Sequence, residues 1–330
     1  MRWAVEAGAH ANAWGLDVVI NDASGRCAAM AAVNAHATAE GKDPDPSTVP
    51  PPEETPDAPD AWPSGCRAEA CRPGRTFRGV GTGWQPVTVR REPAGALLHS
   101  ESFDFVHLDP LGSVAPLLDA AFSRAPHGSV LSVAAADTAA LFGIYPAVAR
   151  RHYGVEIGGG GAACGSSHPA RPPWFKELGV RVLLGAAARA AARHDRGVTP
   201  LLCAAAEPST VQVVVRVRRG GAAADKSIDA SQGIGPLWHC ELCDAAGAGM
   251  EGRPCAHADA LGPGWLGPLG DEAFLRDMAA AARGETPKEG DDAARAVARE
   301  CLSPRCEAHR PAGGGGRWSA VVPLGDKIRG

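Results

Sequence analysis

A short apolar segment that stops abruptly at an Asp-Pro-x-Gly sequence constrains the fold of this chain more than any other feature. The segment occupies residues 103–108, and Asp109-Pro110-Leu111-Gly112 follows it directly. An apolar run of this length bounded by turn residues is typical of a buried strand. Ligands of α/β proteins bind beyond the carboxyl ends of strands, so we expect Asp109 to lie in a cleft with the rigid Pro110 carbonyl beside it.

Asp109 and Pro110 form the first candidate site. A carboxylate and a carbonyl held side by side can accept both hydrogens of an exocyclic amine and aim its nitrogen at an electrophile. An Asp-Pro turn also ends many strands without any chemical role, and for these residues alone that simpler interpretation is preferred. The rest of the sequence favours a chemical role for Asp109 and Pro110 over a purely structural turn.

Strand and helix patterns alternate along the chain. This alternation, closed by an antiparallel pair of strands, predicts a doubly wound α/β fold. The predicted strands are Leu16–Ile20, Val87–Arg90, Val130–Ala135 and the pair Leu201–Ala206 and Val211–Arg218. The predicted helices are Met1–Gly15, Ala23–Ala39, Val114–Ala125, Ala139–His152 and Lys176–His194.

Composition narrows the class of protein. With 330 residues, of which 45% are hydrophobic, the chain can bury the cores of two domains. The segment 43–80 is rich in Pro and charged residues and is expected to be a disordered insertion. No apolar run is long enough for a membrane span, and the N-terminus lacks a signal-peptide pattern, so we expect a soluble, intracellular protein that makes no membrane contact.

A net charge of −4 argues weakly against a nucleic-acid partner. Local basic clusters could still suffice, and the chain has one at Arg150-Arg151-His152 and another at Arg216, Arg218 and Arg219. A solvated surface is the simpler explanation of each cluster.

Four stretches carry a more specific signal, in the order DFVHLDPLGSVAPLLDAAF from Asp104, AADTAALFGIYPAVARRHYG from Ala135, KELGVRVLLGAAARAAARHDRGVTPLL from Lys176 and GPGWLGPLGDEAF from Gly262. Together they resemble the tRNA (guanine-26-N2) dimethyltransferase family. The resemblance implies a class I, Rossmann-like S-adenosyl-L-methionine-dependent methyltransferase domain over residues 1–228, truncated at its N-terminus before the glycine-rich turn. It also implies a small zinc-binding and tRNA-binding module, incomplete, over 229–330.

The resemblance implies the cofactor-binding residues. Arg2 matches an arginine that the family places near S-adenosyl-L-methionine. Asp22 follows a strand and precedes a helix, a position suited to a ribose ligand or to a helix N-cap, and the resemblance favours the ribose. Ala94 would contact the adenine through its backbone, although Pro93 stands where the family has Asp. Asp109 is the fourth cofactor-binding residue that the resemblance implies.

The resemblance also implies that Asp109 and Pro110 are catalytic and act on the amino group of a guanine flipped out of its stack. Two neighbours depart from the family pattern: Leu111 replaces an aromatic residue and His107 an acid. Glu177 is a further candidate for guanine contacts, against the simpler view of a surface helix residue.

Cysteines in the C-terminal part have metal-ligand spacing. Cys240 and Cys243 form a Cys-x-x-Cys pair that can chelate a tetrahedral ion, and Cys255 lies a dozen residues later. The family has further cysteine ligands here, which implies Zn2+. Ala258 stands where another sulfur is expected, so His257 is the predicted fourth ligand, with His239 and Cys301 as alternatives. The alternative to a metal site is a loop of unligated cysteines.

The function implied is methylation of N2 of guanine 26 in tRNA, with S-adenosyl-L-methionine and Zn2+ as cofactors and no obligate protein partner. In a eukaryote we expect the nucleus or mitochondrion as its location. A second hypothesis is a catalytically inactive or truncated relative that only binds RNA. A third is methylation of another amine, such as adenine N6.

Overall fold

The computed structural model describes residues 18–22, 75–77, 87–90, 92–155, 157, 174–206, 210–240, 242–250, 253–282 and 319–320. The chain forms two compact units, residues 1–97 and 98–330. The predicted helices Met1–Gly15 and Ala23–Ala39 lie outside the described residues, as does most of the predicted insertion. In the described part of the chain, no helix is both long and apolar enough to cross a membrane.

The first unit contains a small sheet of three strands in the order β1-β3-β2. These strands are β1 (Val18–Asn21), β2 (Arg75–Phe77) and β3 (Val87–Arg90). β1 and β3 are parallel, so their carboxyl ends meet at one edge, while β2 pairs antiparallel with β3. Helix α1 (Ala94–Ser100) follows β3, and the division between the two units falls within it.

The second unit is organised around a five-stranded mixed sheet. Its strand order is β11-β6-β7-β5-β4, in which β4 and β5 are parallel and β7 is antiparallel to both of its neighbours. The strand predicted at 130–135 and the predicted antiparallel pair are therefore confirmed. The strands are β4 (Phe105–Leu108), β5 (Val130–Ala135), β6 (Arg196–Ala206), β7 (Thr210–Arg219) and β11 (Ser319–Ala320).

Four helices follow the strands and cover one face of this sheet. They are α2 (Ala115–Ser123), α3 (Thr138–Leu141), α4 (Pro146–Tyr153) and α5 (Phe175–Ala192). The single helix predicted over 139–152 is wrong, because the chain forms α3 and α4 there. Gly143 between them has a φ of +79°, outside the helical range, and Pro146 suits the first turn of a new helix.

Helix α5 is the centre of the core. Its sequence consists largely of Ala and Leu with two Arg, all strong helix formers, and most of its residues are buried. Gly179 allows a close approach, since a Cβ there would lie 3.0 Å from the Phe142 ring and 3.2 Å from the Leu141 carbonyl oxygen. The apolar side chains of α5 pack with those of β5 and β7 in one continuous core.

A buried ion pair joins α5 to a loop far along the chain. Glu177 and Arg181 are each 5% exposed, and Arg181 Nη2 lies 2.7 Å from Glu177 Oε1. The same guanidinium donates to the carbonyls of Trp265, at 2.8 Å, and Gly267, at 3.2 Å. Glu177 is therefore a buried residue and not a surface one, and its carboxylate compensates a charge that holds the 265–267 segment against α5.

The rest of the described chain adds a second small sheet and two helices. The small sheet has the strand order β10-β8-β9, and β8 is antiparallel to both neighbours. Helix α7 lies on the other face of the large sheet, where Phe274 and Met278 pack on Val214. These elements are α6 (Gly221–Ile228), β8 (Ile234–His239), β9 (Ala246–Ala248), β10 (Asp259–Trp265) and α7 (Glu272–Ala282).

Candidate active site and metal centre

The Asp-Pro turn lies at the carboxyl edge of the parallel strands β4 and β5. Leu108 at the end of β4 is buried, and the chain then emerges so that Asp109 is exposed and Pro110 half-buried. Gly112 turns the chain with a φ of +101°, a conformation that suits glycine. Its carbonyl accepts a hydrogen bond of 3.2 Å from the Ala136 amide just after β5. The turn is thus attached to the neighbouring strand and presents the Asp109 carboxylate to solvent.

A network of side-chain hydrogen bonds connects the segment that follows this turn to its neighbours. Ser113 Oγ lies 3.2 Å from the hydroxyl oxygen of Tyr153, which donates to Asp137 Oδ1 at 2.7 Å. The other carboxylate oxygen of Asp137 lies 3.3 Å from His152 Nδ1. Burial and the bond to Asp137 raise the pKa of Tyr153 well above its usual range, so its hydroxyl keeps its proton and donates. The network joins the segment after β4, the segment after β5 and the end of α4.

A second polar row crosses the sheet beside the turn. His107 Nδ1 lies 3.0 Å from Ser132 Oγ, which also accepts a 3.0 Å hydrogen bond from Gln212 Nε2. His107 is exposed in part, and desolvation by the surrounding chain lowers its pKa, an effect that the nearby Asp109 carboxylate partly opposes. The imidazole is therefore neutral at physiological pH, two residues before the candidate catalytic carboxylate.

The predicted ribose and adenine positions share one edge of the small sheet in the first unit. Asn21 donates from Nδ2 to the Glu92 carbonyl at 3.0 Å and accepts from the Glu92 amide at 3.2 Å, which fastens the ends of β1 and β3 together. The Asp22 amide donates to the Arg90 carbonyl at 3.3 Å. Asp22 and Ala94 consequently follow two strands whose carboxyl ends are bridged. Arg2 lies outside the described residues.

Pro93 fits the local structure, because it directly precedes the first turn of α1. Its carbonyl accepts hydrogen bonds from the amides of Ala96, at 2.9 Å, and Leu97, at 3.2 Å, which form the first turn of α1. A proline needs no donor partner at a helix start and presets φ for it. The substitution is thus compatible with α1 beginning at Ala94.

Three of the predicted metal ligands lie together. The sulfur atoms of Cys240, Cys243 and Cys255 are all within 4.8 Å of one another, and the Cys243 and Cys255 sulfurs are 3.7 Å apart. A tetrahedral zinc ion with Zn–S bonds of about 2.3 Å separates its sulfur ligands by about 3.8 Å, so the spacing fits this ion. A hydrogen bond from the Cys243 backbone amide lowers the pKa of Cys240, which favours the thiolate that binds metals.

The cysteines are presented by two tight turns. Asp244, directly after the first pair, has a φ of +54°, and the Cys240 amide donates to the Ala245 carbonyl at 2.9 Å. The second turn is closed by a bond of 3.2 Å from the Ala258 amide to the Cys255 carbonyl. A hydrogen bond with Cys240 raises the pKa of Cys255, as expected when one thiol of a close pair is deprotonated first.

The two histidine candidates for a fourth ligand are not among the side chains that converge in this group. His257 is exposed and is not among the side chains that converge within 4.8 Å. His239 is 6% exposed, and its Nε2 lies 3.0 Å from Asp244 Oδ1. Cys301 lies outside the described residues.

Sequence reasoning did not identify the residues that support the Asp-Pro turn. Asp137 lies just after the predicted strand Val130–Ala135, and a carboxylate at that position was a detectable signal. Ser113 and Tyr153 belong to unremarkable positions of the chain, and only the packing of α4 beside the turn brings them to Asp137.

Comparison with known proteins identifies the family. A family model described as N2,N2-dimethylguanosine tRNA methyltransferase matches residues 77–303, which is more than half of the chain. The chain belongs to this family. The resemblance of the four sequence stretches is thereby confirmed, and the hypothesis of an inactive relative is not favoured.

Curated members of the N2,N2-dimethylguanosine tRNA methyltransferase family show how much of a relative the chain spans. It is 36% identical over 210 residues to a tRNA (guanine(27)-N(2))-dimethyltransferase of Rattus norvegicus, covering 58% of this chain and 27% of the rat protein. It is 33% identical over 200 residues to a tRNA (guanine(26)-N(2))-dimethyltransferase of Methanothermobacter thermautotrophicus, covering 58% of this chain and 48% of the relative. The chain thus spans half or less of the length of these family members.

A solved structure supports the fold. Trm1 from Pyrococcus horikoshii, in complex with S-adenosyl-L-methionine, superimposes with a TM-score of 0.57 at 22% identity, covering 91% of this chain and 75% of that chain. The mixed α/β architecture with parallel strands β4 and β5 is consistent with a Rossmann-like methyltransferase, as predicted.

Proposed function

We propose that this protein transfers methyl groups from S-adenosyl-L-methionine to N2 of guanine 26 in tRNA. The observation that carries the proposal is the Asp109-Pro110 turn at the shared carboxyl edge of β4 and β5, in a chain that belongs to a family of tRNA guanine methyltransferases. The geometry favours an amine substrate, because an exposed carboxylate and a half-buried proline carbonyl stand next to each other and are both hydrogen-bond acceptors.

The guanine amine is a weak nucleophile because its lone pair is delocalised into the ring. Asp109 and the Pro110 carbonyl would accept its two hydrogens and hold the nitrogen in one orientation, which lowers the entropic part of the barrier. Asp109 would then take or relay the proton that the nitrogen loses. The neutral His107, two residues away, adds no positive charge that would compete for the carboxylate.

S-adenosyl-L-methionine supplies the methyl group from its sulfonium sulfur when it is bound. The residues proposed to hold it are Arg2, Asp22, Ala94 and Asp109. Asp22 follows a strand end, a position that suits hydrogen bonds to ribose hydroxyls. The Asn21 bridge to Glu92 would keep the ribose and adenine contacts in register with each other.

We further propose that residues 229–330 form a module that binds Zn2+ and contacts tRNA, and that residues 1–228 form the methyltransferase domain. Cys240, Cys243 and Cys255 would hold the ion as thiolates, with His257 as the fourth ligand. The sulfur spacing of 3.7 Å and the lowered pKa of Cys240 support the three cysteines. The ion would stabilise the two turns that carry its ligands.

The catalytic proposal is tested by nucleoside mass spectrometry. The full chain is incubated with S-adenosyl-L-methionine and an unmodified tRNA transcript that has guanine at position 26. We expect N2-methylguanosine, and we expect Asp109→Asn to lower its rate of formation by about 10²–10⁴-fold, because the isosteric amide cannot take the proton. The matched control is Asp104→Asn, an exposed carboxylate at the other end of β4.

A product formed equally fast by Asp109→Asn would refute the role of this carboxylate. The absence of product with the unaltered chain would refute the enzymatic proposal itself. Methylation at position 27 is a second candidate, because a relative that is 36% identical is named for that position. Transcripts with guanine only at 26 or only at 27 distinguish the two sites.

The zinc proposal is tested by metal analysis of the purified chain. We expect about one equivalent of zinc, which Cys240→Ser abolishes and Cys203→Ala retains, since the latter thiol is buried in the core away from the cluster. Cobalt substitution then reports the ligand set through thiolate charge-transfer bands. If His257→Ala leaves the metal content and spectrum unchanged while His239→Ala alters them, the assignment of His257 is wrong.

A further inference from the structure

Three of the seven large apolar side chains that are exposed in the described part of the chain lie on loops at the carboxyl edge of β4 and β5. Leu111 in the Asp-Pro turn is fully exposed, and Ile144 and Tyr145 between α3 and α4 are 49% and 58% exposed. Exposing a large apolar side chain to water is unfavourable, and clusters of them mark binding surfaces. The three residues lie on loops that follow two adjacent parallel strands, and Leu111 is two residues after the candidate catalytic Asp109.

Hydrogen bonds hold the backbone of Tyr145 on both sides of the residue. The Tyr145 amide donates to the Ala139 carbonyl at 3.0 Å, and its own carbonyl accepts from the amides of Val148 and Ala149, each at 3.0 Å. Pro146 follows and begins α4. An aromatic ring held at a fixed place and facing solvent offers a planar surface that loses little entropy when a partner stacks on it.

Helix α4 connects Tyr145 to the segment that follows the Asp-Pro turn. The Tyr153 hydroxyl at its last residue lies 3.2 Å from Ser113 Oγ, in the segment that continues the turn. The Tyr153 carbonyl accepts a 2.7 Å hydrogen bond from Arg189 of α5. An eight-residue helix is about 12 Å long, so Tyr145, directly before α4, is separated by about that distance from Tyr153, the residue that contacts Ser113.

The charge of α4 indicates the chemistry of the partner. The helix contains Arg150, Arg151 and His152 in its last turn and no acidic residue. The two arginines are exposed. A basic helix preceded by an exposed aromatic ring complements a chain that carries phosphates and planar bases.

We propose that Ile144, Tyr145 and Arg151 form a contact surface for the RNA strand next to the methylated guanine, with a base stacked on Tyr145 and a phosphate at Arg151. This assignment rests on the proposed function, and it adds a site on α4 to the Asp109 turn. The loop with Tyr145 follows β5 and the Asp109 turn follows the neighbouring parallel strand β4, so an RNA strand bound to this surface would lie at the same edge of the sheet as Asp109.

The test measures RNA binding directly, without turnover. Anisotropy of a fluorescein-labelled unmodified tRNA transcript is titrated with the full chain at several salt concentrations. We expect Tyr145→Ala to raise Kd by about 5–100-fold, because one base loses its stacking partner, while Tyr145→Phe keeps Kd within about twofold of the unaltered chain. We expect Arg151→Gln to weaken binding and to reduce the slope of log Kd against log salt by about one.

The matched control is Arg124→Gln. Arg124 is also exposed, but it follows α2 at the opposite edge of the sheet. The proposal is overturned if Tyr145→Ala binds as tightly as the unaltered chain, if Arg151→Gln and Arg124→Gln weaken binding equally, or if the unaltered chain does not bind the transcript. It is also overturned if Tyr145→Ala changes only self-association, which would make the surface a protein contact.

The outcome is independent of the test of the proposed function. A chain that binds tRNA through Tyr145 but forms no N2-methylguanosine would refute the enzymatic proposal and retain the RNA surface. If the unaltered chain methylates tRNA and Tyr145→Ala binds the transcript as tightly as the unaltered chain does, the RNA surface is refuted and the enzymatic proposal stands.

Discussion

The two candidate sites of the second unit are built in different ways. The Asp109 turn rests on parallel strands whose inward residues, such as Leu108 and Val133, are buried in the main core. The cysteine cluster is carried by short turns, and two of its three sulfur-bearing residues are not buried. The first site is therefore positioned by packing and hydrogen bonds of the fold, whereas the second depends on local bonds to sulfur and on the proposed ion.

Cysteine chemistry shows the same contrast. Cys203 lies in the core on β6, and burial raises the pKa of its thiol to about 12. At Cys240 a hydrogen bond from the Cys243 amide lowers the pKa. The two thiols therefore differ in their surroundings, which are an apolar core at Cys203 and hydrogen-bond donors at Cys240.

The largest effect on stability is expected at the Glu177–Arg181 ion pair, which joins α5 to the 265–267 segment. Glu177→Gln removes the charge that compensates buried Arg181, and we expect the free energy of unfolding to fall by about 3–5 kcal/mol. Urea unfolding measures it. The matched control is Glu272→Gln, an exposed carboxylate in the first turn of α7, which should change stability by less than about 0.5 kcal/mol. Equal stability of the two variants would show that the ion pair does not hold the 265–267 segment to α5.

A smaller effect is expected at the sheet edge alone. Tyr153→Phe keeps the buried ring and removes the hydroxyl that donates to Asp137. Hydrogen bonds to charged groups contribute about 1.5–3 kcal/mol, so we expect a loss of that size in the free energy of unfolding. Because Tyr153 is a positioning residue for the Asp109 turn, kcat for methyl transfer should fall while zinc content is unchanged. Loss of zinc in this variant would contradict the separation of the two regions.

The smallest effect concerns the pH dependence of stability. Between pH 9 and about 12 the unfolded chain loses the Cys203 proton while the folded chain keeps it, so the stability contributed by this thiol decreases as the pH rises. We expect the difference in unfolding free energy between the unaltered chain and Cys203→Ala to shrink by about 1 kcal/mol between pH 9 and pH 10. Urea unfolding at these two pH values is the measurement, and a constant difference would show that Cys203 titrates normally.

Much of the sheet could be predicted from the sequence, because its strands are short apolar runs with clear ends. Val130–Ala135 and Val87–Arg90 were predicted with the bounds that the structure shows. The helix predicted over 139–152 failed because a periodic apolar pattern continues across Gly143 and Pro146, which end one helix and start another. The pattern records which residues are buried and not whether the backbone between them is continuous.

The candidate sites were predictable to different degrees for a physical reason. The cysteine spacing determines which sulfurs can meet, because Cys240 and Cys243 are held together by one tight turn and Cys255 is presented by a second turn. The support of Asp109 could not be found in this way, since Ser113, Asp137 and Tyr153 meet only after three separate elements have packed. The fourth metal ligand stays a prediction, because His257 and the cluster belong to a segment where local turns and not a core determine side-chain directions.

The reversed strand β7 has a consequence for how the chain acquires this fold. Gln212 on β7 bonds to Ser132 on β5, which precedes it by 80 residues. During synthesis one side of β5 therefore lacks its ladder partner until about half of the unit has been made. Such non-local pairing slows folding and leaves an open strand edge that other chains can join. Nascent chains that end before β7 are therefore expected to aggregate more readily than chains that contain it.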